Sequence, residues 1–164
     1  LMIAICFLIQ STLLNYIQLG SIKPNLLLIL VSSLGFIRGK KSGMRVGLVC
    51  GLFADVFWGN LLGFYTLIFI VIGYINGMFR RLFYDEDIKL PIILIAASEL
   101  IYGLIIYGCM YMLQGDFLFG NYLFHIILPE LVYTILVTLI VYQIILKINR
   151  KLESEEQRSA SRFV

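Results

Sequence analysis

Six apolar runs occupy almost the whole chain, and they constrain its fold more than any other feature. They lie at approximately Leu1 to Leu19, Pro24 to Ile37, Met44 to Trp58, Leu61 to Phe79, Leu90 to Leu113 and Tyr122 to Ile148. A bilayer core about 30 Å thick needs roughly 20 apolar residues per helix. The 164 residues therefore leave room for five or six spans and little else. A β-barrel is excluded because the runs lack the alternation of apolar and polar residues that barrel strands require. The predicted fold is an all-α membrane protein, a six-helix transmembrane bundle over residues 1–150 with a polar, disordered cytoplasmic tail over 151–164. The second and third runs are short, since about 15 residues cover only about 22 Å. They must borrow flanking residues, sit in thinned bilayer or be partly re-entrant.

The net charge of +3 matters less than its placement, because every basic cluster falls between or beyond the runs. That pattern argues topology rather than nucleic-acid binding. With both ends in the cytoplasm, the inner loops hold Arg38, Lys40, Lys41 and Arg45, then Arg80, Arg81 and Lys89, and the tail holds Lys147, Arg150, Lys151, Arg158 and Arg162. Only Lys23 is left outside, beside Pro24, where a helix starts at the outer interface. The chain opens on Leu1, which leads us to expect the natural start upstream, and no small-residue cleavage site follows the first run. Cys6, Cys50 and Cys109 lie inside apolar runs without metal or disulfide spacing, and they read as small packing residues.

The third run and the turn after it carry the densest pattern. Gly43, Gly47, Gly51, Asp55 and Gly59 recur every four residues, with Gly63 beyond, and the fourth run adds Gly73 and Gly77. Such spacing puts small residues on one ridge of a helix, where a neighbouring backbone can approach closely and van der Waals contact replaces the hydrophobic drive that lipid removes. The ridge serves either a tight hairpin within the chain or a face for another protein.

Three acids, Asp55, Glu99 and Glu130, fall inside apolar runs. A charged side chain in mid-membrane costs at least about 2.5 kcal/mol, so all three should face the interior or a partner. Glu99 and Glu130 come out near mid-depth, where they could share a proton or a water, with Tyr102, Thr134 and Thr138 as polar neighbours. Pro129 frees a backbone carbonyl one turn earlier. His125, the single histidine, reads as a packing or pairing residue and could pair with Asp55. Ser11, Asn15 and Gln18 share a face of the first run, suited to gluing helices together. No catalytic residues, metal site or cofactor site emerges: HExxH, GxSxG, a P-loop and Cys/His clusters are all missing from the sequence.

The Pro24-Asn25 opening of the second run, the stretch Gly51-Leu-Phe-Ala-Asp55-Val-Phe-Trp-Gly59-Asn-Leu-Leu-Gly63, and Gly73-Tyr74 with Gly77 resemble the MreD family of rod shape-determining membrane proteins. The resemblance covers almost the whole chain. It implies a non-catalytic component of the cell-elongation and peptidoglycan-synthesis machinery in the bacterial cytoplasmic membrane. Its implied partner is the single-span protein MreC, linked to MreB, RodA and a class B penicillin-binding protein. It also implies a fold similar to the substrate-binding subunits of energy-coupling vitamin transporters. The alternative function is therefore a small-molecule binder with a pocket among Asp55, His125 and Glu130, although the first run lacks the alanine-rich docking pattern of such subunits. An ion path through Glu99 and Glu130 is a third reading, without a visible basic partner.

Overall fold

The computed structural model describes residues 2–16, 24–59, 62–82, 88–111, 115 and 119–161. Gln18, Lys23, Asn60, Leu61 and Arg162 lie outside these residues, as does the side chain of Asn15. The described elements are all helical: α1 (Met2–Tyr16), α2 (Leu26–Arg38), α3 (Lys40–Trp58), α4 (Phe64–Met78) with a 3-10 turn at Phe79–Leu82, and α5 (Lys89–Ile106) with a π-helical extension at Tyr107–Tyr111. The last rod begins as α6 (Phe119–Tyr122), widens through π-helical residues Leu123–Ile127, and continues as α7 (Leu128–Ser161). The widening sits immediately before Pro129. With no N–H to give, Pro129 breaks the regular ladder, and Leu128 N–H instead reaches Leu123 O, five residues back.

Two helices, Lys89–Cys109 and Gly120–Ser161, are long and apolar enough to cross a membrane unaided. The helix α2 is the opposite case. Every residue from Leu26 to Ile37 is buried, and α1, α3, α4, α5 and α7 all pack against it. Its run of Leu, Ile and Val is apolar on all sides, the composition of a helix surrounded by protein. Thirteen residues span only about 20 Å, which suffices for a helix whose ends are met by protein.

The α2 N-terminus shows how its first donors are satisfied. Asn25 is the N-cap, its Oδ1 accepting from Leu28 N–H at 3.2 Å. Gln10 Oε1 of α1 accepts from Leu27 N–H at 3.0 Å, and Thr134 Oγ1 of α7 lies 3.5 Å from Asn25 N. Pro24 therefore precedes the cap rather than occupying the first helical turn.

Two expectations are corrected. The basic loop between the second and third spans shrinks to Gly39, which adopts φ +97° and is the residue between α2 and α3. Lys40, Lys41 and Arg45 lie on the first turns of α3 rather than in a loop, so the short third run reaches 19 residues by borrowing flanking residues, one of the options expected for it. The last helix also continues through Ser161, past the boundary at 150 where the sequence predicts disorder. Residues 151–161 are solvent-exposed, and the helix is rich in Glu, Gln, Arg and Lys, which favour helix without any tertiary contact.

Polar side chains share the interior with the apolar core, and many large apolar side chains face outward. Asn76, Ser98, Glu99, Thr134 and Asn149 are buried, whereas Leu52, Phe57, Ile93, Leu136 and Ile140 are exposed. Contiguous exposed apolar surface of this kind is what a lipid surround accommodates.

Candidate functional site

The glycine ridge of α3 lies against α4 of the same chain. A Cβ on Gly43 would run into Gly73 O, one on Gly47 into Phe69 O, and one on Gly51 into Thr66 Cα. Each step of one turn along α3 matches a step of about one turn back along α4, the register of an antiparallel hairpin. Gly77 continues the seam at the other end, where a Cβ would overlap Lys40. Where glycine replaces a larger residue at such a crossing, the Cα hydrogen points at the facing carbonyl, a contact worth about 0.5–1 kcal/mol. Gly35 of α2 joins the same junction, with a Cβ there coming 2.8 Å from Gly73 O. Three helices thus meet at Gly35, Gly43 and Gly73.

The last two glycines of the pattern have other roles. Gly59 ends α3, its N–H donating to Asp55 O at 3.2 Å, and a Cβ there would strike that same turn. Gly63 precedes α4 with φ +97° and open space around it, so its requirement is conformational.

Asp55 is 1% exposed and ties the hairpin together. Its Oδ2 accepts from Gly63 N–H at 2.9 Å, from Thr66 N–H at 3.1 Å and from the Thr66 hydroxyl. Its Oδ1 accepts from Tyr65 N–H at 2.9 Å. The carboxylate therefore caps α4 from the preceding helix, taking up donors that would otherwise be orphaned in an apolar setting and meeting the positive end of the helix dipole. No hydrogen bond or ion pair joins Asp55 to His125 among the described residues. The His125 ring is exposed, and its Nδ1 lies 3.0 Å from Asn121 O, one turn away. Two of the three residues expected around an outer pocket are thus engaged locally.

Glu99 and Glu130 are brought together. Glu99 is 2% exposed and lies near the Glu130 carboxyl across α5 and α7. Neither Glu99 oxygen has a hydrogen-bond partner of ordinary geometry. Tyr102 borders the pair and stacks on Phe69, with ring centroids 5.8 Å apart. Thr134 turns away from Glu130 to serve α2, and Thr138 bonds back to Thr134 O at 2.6 Å. Gly103, one turn along from Glu99, receives Ile127.

A polar tie between α2, α4 and α5 escaped the sequence reading. Asn76 Nδ2 donates to Ser98 Oγ at 2.7 Å and to Ile72 O at 2.9 Å, and lies 3.4 Å from Ser32 Oγ. The signal was an isolated Asn between Gly73 and Gly77 on the same helix face.

No curated protein and no solved structure matches the chain. A match to rod shape-determining protein MreD does extend over residues 1–152, which takes in the hairpin, the acid pair and the buried α2 alike. Since that match covers nearly the full length, the chain belongs to the MreD family of rod shape-determining membrane proteins.

Proposed function

We propose that the protein is a non-catalytic scaffold of the bacterial cell-elongation machinery, set in the cytoplasmic membrane with six spans and both termini in the cytoplasm. In this reading it binds MreC through helix contacts inside the bilayer, and through that pair meets RodA, a class B penicillin-binding protein and MreB. The observation that carries the proposal is the exposed apolar surface of the bundle, which suits contacts made within the membrane. A partner with one span can be met there, helix against helix.

The glycine ridge is not that contact, since α4 fills it. It acts as a strut that holds α2, α3 and α4 rigid. The faces offered to a partner are the exposed stripes of α5, at Ile93, Leu100 and Leu104, and of α7, at Val132, Leu136 and Ile140. Each recurs at three-, four- or seven-residue spacing, the geometry of a helix laid against a helix. The alternative of a vitamin-type binder draws on Asp55, His125 and Glu130, and the first two bond to backbone groups near them.

The test is photo-crosslinking in native membranes from each stripe position and from Gly47 and Gly51. MreC adducts from one stripe, with none from the two glycines, are expected. Adducts from the glycines alone, or turnover of a cell-wall precursor by the purified chain, would overturn the reading.

A further inference from the structure

At the basic end of the bundle, the α2–α3 turn and the end of α4 enclose an open cleft of about 670 Å³. Five cations line it: Arg38, Lys40, Lys41, Arg80 and Arg81. Among the described residues no acidic side chain lines it. A preference for basic residues on one side of a membrane explains their presence at this end. It does not explain their convergence, which repels and needs a reason.

The cleft is built around Gly39 and Gly77. The Arg80 side chain lies across Gly39, where a Cβ would come 2.9 Å from Arg80 Cδ, and Gly77 lets Lys40 sit directly on α4. Lys40 is held over the Tyr74 ring, with Nζ 5.4 Å from its centroid. Arg38 is anchored through Nε to Asn149, while its Nη2 is buried without a hydrogen-bond partner. A carboxylate oxygen of Glu156 stands 4.0 Å away on an exposed side chain. The N-terminus of α3 opens here too, and its N-cap Gly39 supplies no side-chain acceptor. Its positive dipole end adds to the five charges.

Apolar side chains continue from the cleft along the outside of the bundle. Met78, Phe79 and Leu82 are exposed beside Arg80 and Arg81, and Val71 and Tyr74 lie further along α4. Together they make a polar receptacle at the interface with an apolar track running toward mid-membrane. An anionic phosphate group fits the receptacle, and acyl chains fit the track. An acidic protein segment would use the charges and leave the track unused.

We propose that this cleft binds the phosphorylated headgroup of an anionic membrane lipid, with Arg38, Lys40, Lys41, Arg80 and Arg81 as its ligands. Basic pockets at the interfacial ends of membrane helices are suited to such headgroups. Five cations against one phosphate leave charge to spare, so a headgroup carrying two phosphates should be preferred.

The full-length protein, purified in a neutral detergent, is titrated with diphosphatidylglycerol, phosphatidylglycerol, phosphatidylcholine and inorganic pyrophosphate, reading Tm and lipid retention by native mass spectrometry. The expected result is a Tm rise of several degrees with the two anionic lipids, larger for the first, and little with phosphatidylcholine. Pyrophosphate should compete without reproducing the full rise, because it lacks chains for the track. A Lys41→Gln/Arg80→Gln/Arg81→Gln variant should lose most of the preference, whereas Lys147→Gln/Arg150→Gln, basic residues outside the cleft, should keep it. Equal responses to anionic and zwitterionic lipids, which need no variant to observe, would overturn the proposal. So would a full response to pyrophosphate alone, which would make the site one for free phosphate, or a response to polyglutamate and to no lipid.

Discussion

Gly43 and Gly73 lie backbone against backbone, so that a Cβ on either would run into the carbonyl oxygen of the other. No rotamer change relieves such an overlap; α3 and α4 would have to separate. Gly43→Ala and Gly73→Ala should each cost about 1–3 kcal/mol or more, the range for overpacking a filled interior. Gly120→Ala, where a Cβ meets open space, should stay within about 0.5 kcal/mol of the parent. Thermal denaturation in detergent checks the contrast, and equal behaviour of the three variants would remove the close-packed hairpin.

Asp55 should be the acid most costly to replace. Asp55→Ala leaves three backbone donors and a hydroxyl without an acceptor, and a loss of about 3–5 kcal/mol is expected for breaking such a buried charged network. Asp55→Asn keeps one acceptor oxygen and should recover part of it. Hydrogen exchange at Gly63, Tyr65 and Thr66 offers the local readout, which should quicken in Asp55→Ala before exchange elsewhere in the bundle.

Asn76 and Ser98 should be energetically coupled. Their 2.7 Å hydrogen bond joins α4 to α5, which otherwise touch sparingly. A double-mutant cycle with Asn76→Ala and Ser98→Ala should give about 0.5–1.5 kcal/mol, in the range measured between membrane helices. Strict additivity would mean that the tie contributes nothing.

Arg38 fastens the far end of α7 to the bundle. Its Nε donates to Asn149 Oδ1, Asn149 Nδ2 donates to Glu153 Oε1 at 3.0 Å, and Glu156 lies within 4.0 Å of its guanidinium. The ion pair is exposed and should add about 0–1 kcal/mol, so the charge-assisted Arg38–Asn149 hydrogen bond carries the attachment. Arg38→Ala should therefore speed trypsin cleavage at Lys151 several-fold while Glu156→Gln changes it little. Equal rates for both variants would show that α7 is held otherwise.

Much of this was legible from the residues, and the remainder was hidden for identifiable reasons. Spacing of four exposed the ridge on α3, because helical periodicity is local, but which helix fills it is a tertiary fact. The acceptor role of Asp55 reaches 8 to 11 residues ahead, across a turn that no pattern of hydrophobicity describes. The apolar run marks less than the whole of α3, because Lys40, Lys41 and Arg45 interrupt the run without interrupting the helix. In the same way the polar composition of residues 151–161 resembles a disordered tail, although Asn149–Glu153 and Ser154–Lys151 bonds keep the turns wound. Glu99 and Glu130 were placed at one depth by helix rise alone, and they do meet.

The enclosure of α2 has a consequence for biogenesis. A segment released sideways from the translocation channel is ordinarily stabilised by the lipid it encounters, yet this one is short for the hydrocarbon and opens on donors answered by Gln10, by its own Asn25 and by Thr134. Thr134 is translated a hundred residues after Asn25. The enclosure of the second segment is therefore complete only once the last helix is in place, which ties its burial to the end of synthesis.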